Sequence, residues 1–262
     1  MRTRPPDLTV VIPTYNERDG IAELVTSVVV ECRAAGVDVE IVIVDDNSPD
    51  GTGAVADDLA TRFRVTPVHR AGKLGLGTAV MAGFAVATAE VVGVMDADFS
   101  HPPALVPKLY AAFRSTGADV VVASRYIPGG GTPTWPFKRR ALSRVGCFLA
   151  RPLTPIRDPA SGFFLMRRSL AQAVEIKAGG FKIGLELIVR GEARRLVEVP
   201  YRFEDRRRGV SKMNTKEAVG YLRQLADLYP VSWSRRRTFA YRQLTEGEVD
   251  AMVPKPRNAG GD

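Results

Sequence analysis

The chain has 262 residues, of which 45% are hydrophobic and 25% charged, and a formal net charge of +8. This composition is typical of a globular protein and excludes a disordered or fibrous one. No apolar run reaches the 18 or so residues of a membrane-spanning helix. The N-terminus lacks the apolar core of a signal peptide, so we expect a cytoplasmic protein with at most a peripheral membrane contact. Cys32 and Cys147 have no paired spacing, which favours neither a disulfide framework nor a zinc site.

The first half of the chain alternates apolar runs with helical patterns. The predicted strands are 8–12, 39–44, 64–68, 91–95 and 119–124. The predicted helices are 21–35, which ends before Gly36 as a C′ residue, then 52–62, a helix ending near 88, and 103–116. Strands that alternate with helices of this length predict βαβ units and a mostly parallel sheet with helices on both faces.

The pattern changes beyond Arg125. A breaker-rich loop at 128–136 is followed by a basic helix near 138–150, a strand at 162–166 and a helix at 183–191. A short strand at 196–200 and a helix at 215–229 complete the series. We interpret this part as the second half of the same α/β domain, 1–230. Residues 231–262 are predicted to form a basic, partly disordered tail.

Acidic residues follow three of the predicted strands. Glu17 follows the first, Asp45 and Asp46 follow the second, and Asp96 and Asp98 follow the central strand at 91–95. Each of these sites alone is more often a helix cap or a turn former. However, the carboxyl ends of parallel strands face one edge, where open α/β sheets bind ligands. Together the acids indicate a nucleotide site, with phosphates bridged by Mg²⁺ or Mn²⁺.

The glycine-rich stretch 72–77 lacks the spacing of a P-loop and does not follow the first strand, so neither the P-loop nor the dinucleotide fingerprint applies. It is either a close backbone approach to a ligand or a plain tight turn.

Basic residues cluster in the second half. Arg125 ends a strand, Lys138, Arg139 and Arg140 follow the loop, and 204–212 is densely cationic. A charge run is usually a solvated face, but guanidinium groups also match the geometry of phosphate. Nucleic acid is the rival partner, and we do not expect it because no aromatic platform or nucleic-acid motif accompanies these residues.

Several motifs, in unbroken order over residues 8–230, resemble the dolichyl- or polyprenyl-phosphate mannosyltransferases. This family belongs to the family-2 inverting glycosyltransferases, which have a GT-A fold. The motifs are 13–18 (PTYNER), 44–50 (VDDNSPD), 75–79 (GLGTA), 95–103 (MDADFSHPP), 124–126 (SRY), 135–139 (WPFKR), 158–164 (DPASGFF), 180–183 (GFKI), Glu186, 199–200 (VP) and 206–212 (RRRGVSK). The resemblance divides the domain into a nucleotide-sugar half, about 8–125, and an acceptor half, about 126–230.

The resemblance also implies roles for individual residues. Those implied to hold the guanine and ribose of GDP-mannose are Pro13, Tyr15, Glu17, Val44 and Asp46. Those implied at the ribose, diphosphate and metal are Asp96, Ala97 and Asp98, with Asp98 as the principal metal ligand. Those implied to grip the donor diphosphate and the acceptor phosphate are Arg125, Arg139, Arg206 and Lys212. Asp98, Arg125, Arg206 and Lys212 would carry the catalytic step.

The chain departs from the family pattern in two places. Ser100 stands where some relatives carry a glutamine that also contacts the metal, so we include it in the metal site and leave the choice of metal open. The chain also lacks the C-terminal transmembrane helices of some relatives, and it resembles the subgroup without them. A separate membrane protein as an anchor is therefore a further expectation.

The activity that the resemblance implies is metal-dependent, inverting transfer of mannose from GDP-mannose to a polyprenyl phosphate. Two alternatives stay open: a transferase of the same fold that uses UDP-glucose or a non-lipid acceptor, and a catalytically idle nucleotide-binding scaffold at the membrane. An acceptor phosphate is already anionic, so the reaction needs no strong general base. His69 and His101 are the only histidines, and His101 resembles a turn residue.

Residues 215–241 are the candidate for a membrane contact. They combine apolar and aromatic side chains with three arginines, a composition suited to a membrane interface. The residues concerned are Tyr221, Leu222, Leu225, Leu228, Tyr229, Trp233, Phe239 and Arg235, Arg236 and Arg237. A helix packed on the domain core explains the pattern equally well.

Overall fold

The structure is a computed structural model that describes residues 4–176, 182–204, 215–235 and 238–254, without the side chains of 215–217 and 235. Its strands are β1 Leu8–Thr14, β2 Val39–Asp45, β3 Val65–His69, β4 Val91–Val94, β5 Val120–Ser124, β6 Phe164–Arg167, β7 Arg195–Pro200 and β8 Ala240–Gln243. Its helices are α1 Arg18–Ala34, α2 Thr52–Arg62, α3 Leu76–Val86, α4 Leu105–Thr116, α5 Phe137–Leu149, α6 Arg168–Gln172, α7 Ile183–Arg190, α8 Thr215–Arg235 and α9 Glu246–Met252.

The described strands form one sheet in the order β3-β2-β1-β4-β6-β5-β7-β8. Strand β6 is antiparallel to both of its neighbours, β4 and β5, and the other neighbouring pairs are parallel. The carboxyl ends of the seven remaining strands therefore lie at one edge of the sheet, the carboxyl edge. The prediction of a single α/β domain with a mostly parallel sheet is confirmed.

Apolar side chains cover both faces of the sheet. Along β1, Leu8, Val10 and Ile12 belong to the cluster that α1 and α4 cover. Val11, between them, points to the opposite cluster beneath α3 and α7. Each fully buried side chain of this kind contributes about 1.5–3 kcal/mol. Burial on both faces is why the strands are almost continuously hydrophobic.

Two glycines occupy positions where a side chain would be unfavourable. Gly36 has a φ of 71° just after α1, which confirms the predicted C′ position. Gly83 of α3 faces β1 so closely that a Cβ would lie 2.4 Å from Val11 Cγ1. Any larger residue there would push α3 away from the sheet.

The predicted tail is corrected by the structure. The boundary at residue 230 falls inside α8, and β8 pairs with β7 beyond it. Leu244 and Val249 are buried in the main core, so 240–252 belong to the domain. The sequence of β8, Ala-Tyr-Arg-Gln, is short and polar, as suits an edge strand, and it therefore gives no apolar signal. Residues 255–262, where disorder was predicted, lie outside the described residues.

Candidate active site

The three acidic loops meet because β2, β1 and β4 are neighbours in the sheet. A cavity of about 460 Å³ lies between the start of α1 and the loop after β4. Its lining includes Glu17, Ala97 and Asp98, which the sequence analysis predicted as site residues. The cavity is also lined by Asn16, Arg18, Asp19, Gly20, Glu23, Asp50 and Phe99. The loops after β1 and β4 therefore share one site.

The two acids after β2 have different surroundings. Asp45 accepts hydrogen bonds from the Ser48 amide at 3.0 Å and the Thr14 hydroxyl at 3.2 Å, so it holds the loop in place. Asp46 instead pairs with Arg70, at 2.8 Å between Oδ1 and Nη1. Burial raises the pKa of the Asp46 carboxyl, and the Arg70 charge opposes that rise. Asp46, predicted to bind the nucleotide, thus lies in a partly desolvated position beside the glycine-rich stretch.

That stretch places a cation over an aromatic ring at the site. Lys73 Nζ lies 4.3 Å from the centre of the Tyr15 ring, and Tyr15 is 38% exposed. A cation and an aromatic face next to each other suit a stacked, anionic nucleotide. From the sequence, this stretch was interpreted either as a close backbone approach to a ligand or as a tight turn. Lys73 was given no role.

Pro13 and Val44 are paired residues of β1 and β2. The Val44 side chain is fully buried in the core. Any contact that Val44 makes with a nucleotide therefore comes from its main chain.

His101 fixes the loop that carries the Asp96 and Asp98 carboxylates. Its Nδ1 accepts the Asp96 amide at 3.0 Å, and its Nε2 lies 3.7 Å from Asp96 Oδ2. The ring stacks on Phe163, with centroids 4.7 Å apart, and meets Tyr201 edge-on. Only 2% of His101 is exposed, so it is more than the turn residue expected from the sequence.

Burial lowers the pKa of His101, although the nearby Asp96 and Asp98 oppose that shift. The imidazole is therefore neutral near pH 7. Because Nδ1 accepts a hydrogen bond, the proton is on Nε2, which faces the Asp96 carboxylate. His101 is a positioning residue, and its burial keeps it from acting as a base on a substrate.

The backbone turns sharply at Phe99, whose φ is 63°, a left-handed value that costs energy in a non-glycine residue. After the turn, the Ser100 amide donates to Asp98 Oδ1 at 3.0 Å. The Ser100 hydroxyl is buried and has no hydrogen-bond partner among the described residues. Buried polar groups are normally hydrogen-bonded, so a buried hydroxyl without a partner next to a carboxylate indicates a position where a ligand binds.

The residues of this loop fit a divalent cation. Asp96 keeps 38% of its side chain exposed, and carboxylate oxygens suit Mg²⁺ and Mn²⁺. Within the described residues, no group of three or more His, Cys, Asp or Glu side chains could enclose a metal. The described residues therefore offer only part of a coordination shell, which agrees with the way Mg²⁺ is commonly shared between one or two carboxylates and substrate phosphates.

Arg125 lies farther along the carboxyl edge, where it forms a buried ion pair. Its Nε and Nη2 donate to the two oxygens of Asp158, each at 2.7 Å, and its amide donates to the same carboxylate at 3.0 Å. Asp158 has no exposed surface, and only 9% of Arg125 is exposed. Asp158 already occupies the guanidinium fork of Arg125. The direct phosphate contact predicted for Arg125 therefore remains a prediction.

A second buried carboxylate supports Asp158. Glu198 of β7 accepts the amides of Arg157 and Asp158 at 2.9 and 3.0 Å, and the Tyr241 hydroxyl of β8 donates to it. The sequence analysis gave none of these carboxylates a role. The pairing joins residues more than 30 positions apart, so no local pattern revealed it.

Trp135 brings two predicted site residues together. The Arg139 guanidinium lies 3.9 Å from the centre of the Trp135 ring and that of Arg125 lies 5.2 Å away. Phe203 packs edge-on against the same ring. The two arginines thus form one cationic and aromatic cluster. Arg206 and Lys212, the other predicted phosphate ligands, lie outside the described residues.

The fold is that of a glycosyltransferase. The chain belongs to glycosyl transferase family 2, whose family model matches residues 9–183. It is 38% identical over 250 residues to the dolichol-phosphate mannosyltransferase of Pyrococcus furiosus, covering 94% of this chain and 66% of that protein. It is 40% identical over 232 residues to the polyprenol monophosphomannose synthase of Mycolicibacterium smegmatis, covering 82% and 86%. The family predicted from the sequence is confirmed.

Solved structures show the same fold. The glucosyl-3-phosphoglycerate synthase of Mycobacterium tuberculosis, in complex with Mn²⁺, UDP-glucose and phosphoglyceric acid, superposes with a TM-score of 0.61 at 22% identity. The match covers 87% of this chain and 80% of that one. The mannosyl-3-phosphoglycerate synthase of Rubrobacter xylanophilus gives a TM-score of 0.57 at 19% identity, covering 85% and 73%. At such identities the likeness concerns the fold alone, and it confirms the GT-A-type architecture.

Proposed function

We propose that the protein transfers mannose from GDP-mannose to a polyprenyl or dolichyl phosphate, in a reaction that depends on Mg²⁺ or Mn²⁺ and inverts the sugar. The observation that carries this proposal is the similarity to a dolichol-phosphate mannosyltransferase along 94% of the chain. Both the carboxylate loop and the arginine cluster lie within that similarity and at the same edge of the sheet.

The donor would bind over β1, β2 and β4. Tyr15 and Lys73 offer a stacking face and a charge to the nucleotide, and Glu17 and Asp46 offer hydrogen-bond acceptors to its polar groups. Pro13, the Val44 main chain and Ala97 complete the nucleotide contacts predicted from the sequence. Asp96 and Asp98, with Ser100 beside them, would hold the cation together with the diphosphate. When bound, that cation supplies Lewis-acid stabilisation of the departing GDP.

The acceptor would approach from the side of Trp135, where Arg139 can bind its phosphate. One phosphate oxygen attacks the anomeric carbon while the bond from that carbon to the GDP oxygen breaks, and GDP leaves with the electron pair. A single displacement converts the α-linked donor into a β-linked product. Arg125, Arg206 and Lys212 remain the further predicted ligands of these phosphates. Because the nucleophile is already an anion, the reaction relies on positioning and charge stabilisation rather than a general base.

An exposed apolar face suits a membrane-bound acceptor. Nine of the fourteen exposed large apolar side chains among the described residues lie on α5 and α8: Phe137, Leu142, Val145, Phe148, Leu149, Val219, Leu222, Tyr229 and Trp233. The Tyr221 hydroxyl donates to the Gly146 carbonyl at 3.0 Å, so the two helices lie side by side. Clustered exposed apolar groups flanked by basic residues are typical of a membrane-binding surface.

Helix α8 has a packed side and an exposed side. Leu225 and Leu228 are buried in a small core with α7, whereas Leu222 and Trp233 are exposed. No described helix is both long and apolar enough to cross a membrane. Through the exposed side of α8 we propose a peripheral contact at the cytoplasmic face, with a separate membrane protein as an additional anchor.

The activity is tested with purified protein, Mg²⁺ or Mn²⁺, a panel of sugar nucleotides and a short polyprenyl phosphate. We expect label from GDP-mannose in the lipid extract and none from UDP-glucose. Incorporation from UDP-glucose alone would replace the donor assignment. Nucleotide binding without transfer from any donor would favour the idle scaffold.

The membrane contact is tested by Phe137→Ser combined with Trp233→Ser, which are 78% and 80% exposed. We expect weaker binding to phospholipid vesicles and unchanged binding of GDP. Val30→Ser with Val86→Ser, exposed apolar residues on α1 and α3, is the matched control. Deleting 231–262 is a poor test, because it would also remove β8 and α9 from the fold.

A further inference from the structure

A second and larger cavity, of about 730 Å³, lies beside α5. Its walls are the segment 125–130, one side of α5, Arg157 and Gln243. Arg144 and Phe148 are four residues apart and so share that side of α5, and Arg151 lines the cavity from the turn just after the helix. Arg139, which contacts Trp135, is five residues before Arg144 and lies about 140° away around the helix. The cavity thus lies on a different side of α5 from Arg139, and Arg125, which also contacts Trp135, lies in its wall.

The lining of this cavity is strongly cationic. Four arginines line it, and its described lining contains no acidic residue. Arg125 is neutralised by Asp158. Arg144, Arg151 and Arg157 are exposed, and none of the ion pairs among the described residues involves them. Three exposed arginines that line one cavity, with no ion pair among the described residues, suit the binding of a phosphate group.

The same cavity has an apolar border. Val145 and Phe148 line it and are 53% and 65% exposed. The Arg151 guanidinium lies 5.6 Å from the centre of the Phe148 ring. Both apolar side chains also belong to the exposed apolar face of α5 and α8. A ligand that fits must therefore carry a phosphate next to a hydrocarbon chain.

We propose that this cavity binds the phosphate headgroup of an anionic phospholipid, at a site distinct from that of the acceptor phosphate. The headgroup phosphate lies between Arg144, Arg151 and Arg157, and the acyl chains run along Val145 and Phe148. The inference rests on the proposed function only in that the protein works at a membrane surface. Bound phospholipid would orient the carboxyl edge toward the bilayer that holds the acceptor.

The test is the combined variant Arg144→Gln, Arg151→Gln and Arg157→Gln, measured with phosphatidylcholine vesicles that contain phosphatidylglycerol. Because the loss of each surface arginine weakens binding to an anionic membrane about fivefold, we expect the affinity of the triple variant to fall on the order of a hundredfold. The matched control is Arg33→Gln, Arg114→Gln and Arg194→Gln, which removes three exposed arginines at the opposite edge of the sheet. The control should bind nearly as the unmodified protein does, and an equal loss in both would overturn the proposal.

Two comparisons identify the ligand. Vesicles given the same surface charge with oleic acid should bind more weakly than those with phosphatidylglycerol. Equal binding would mean that the protein responds to surface charge alone and does not recognise the phosphate group. Glycerol 3-phosphate that bound as tightly as the vesicles would overturn the lipid assignment.

Transfer to a short, water-soluble acceptor separates this site from the acceptor site. The triple variant should keep its transfer rate, and its loss would show that the cavity is the acceptor site itself. Vesicle binding does not require turnover, so its result can be interpreted even if the proposed transferase activity is not found.

Discussion

The two halves of the domain present opposite charges at the same edge of one sheet. The cavity beside Asp98 is lined by five acidic residues and one arginine, whereas the cavity beside α5 is lined by four arginines and no described acid. The difference matches the two ligands proposed above, a cation with a donor diphosphate at the first cavity and an anionic lipid headgroup at the second. One continuous sheet thus keeps an acidic and a basic region apart along its carboxyl edge.

The halves also hold their groups by different means. In the first half, short loops directly after strands carry the acids, and hydrogen bonds to Asp45 and His101 fix those loops. In the second half, the cationic groups are on long side chains whose positions depend on Asp158 and Trp135. Variants in the first half should therefore affect chemistry more than stability, and variants in the second half should affect stability as well.

The largest expected effect is on stability, from Asp158→Ala. The substitution leaves the buried Arg125 charge without its partner, so the free energy of unfolding should fall by about 3–5 kcal/mol. Urea unfolding measures the change. Asp58→Ala, which removes an exposed pair with Arg62, should cost less than about 1 kcal/mol. Equal losses for the two variants would mean that the Asp158 pair does not support the second half.

Asp98→Ala should have the largest effect on turnover. Loss of the proposed main cation ligand should lower the transfer rate about a hundred- to a thousandfold, with the far-UV circular dichroism spectrum unchanged. The measurement is a titration of activity with Mn²⁺. Glu23→Gln removes an acid from the same cavity and serves as the control, with an activity near that of the unmodified protein. Undiminished turnover of Asp98→Ala would refute the metal assignment.

His101→Phe should have an intermediate effect. Phenylalanine can still stack on Phe163, but it cannot accept the Asp96 amide, so the carboxylate loop loses an anchor worth about 1–2 kcal/mol. We expect a roughly tenfold lower kcat and a higher midpoint for Mn²⁺ activation. His69→Phe changes an exposed histidine that pairs with Asp57 and should leave both quantities unchanged. If both variants behaved alike, His101 would have no specific positioning role.

Lys73→Ala should have the smallest effect. A partly exposed cation–π contact is worth about 0.5–1 kcal/mol, so the Kd for GDP should rise two- to fivefold, by about that free energy. Isothermal titration calorimetry measures it, with Lys108→Ala, a lysine paired with Asp250, as the control. A Kd for Lys73→Ala equal to that of the control would place the glycine-rich stretch outside the nucleotide site and leave it a plain turn.

The sequence by itself determined the strands of the first half and the acids that follow them. A strand covered on both faces is continuously apolar, and the residue after it has to lie at the sheet edge, so both features are local. The helix 52–62 was predicted at the bounds that the structure gives it. The family motifs, which are also local, identified the class of enzyme.

Only the tertiary structure decided which polar groups face one another. The pairing of Arg125 with Asp158, the support from Glu198 and Tyr241, and the burial of His101 between aromatic rings all join distant parts of the chain. The edge strand β8 is likewise defined by its partner β7 rather than by its own four residues. Such contacts depend on how the layers pack, and no pattern within one segment encodes their geometry.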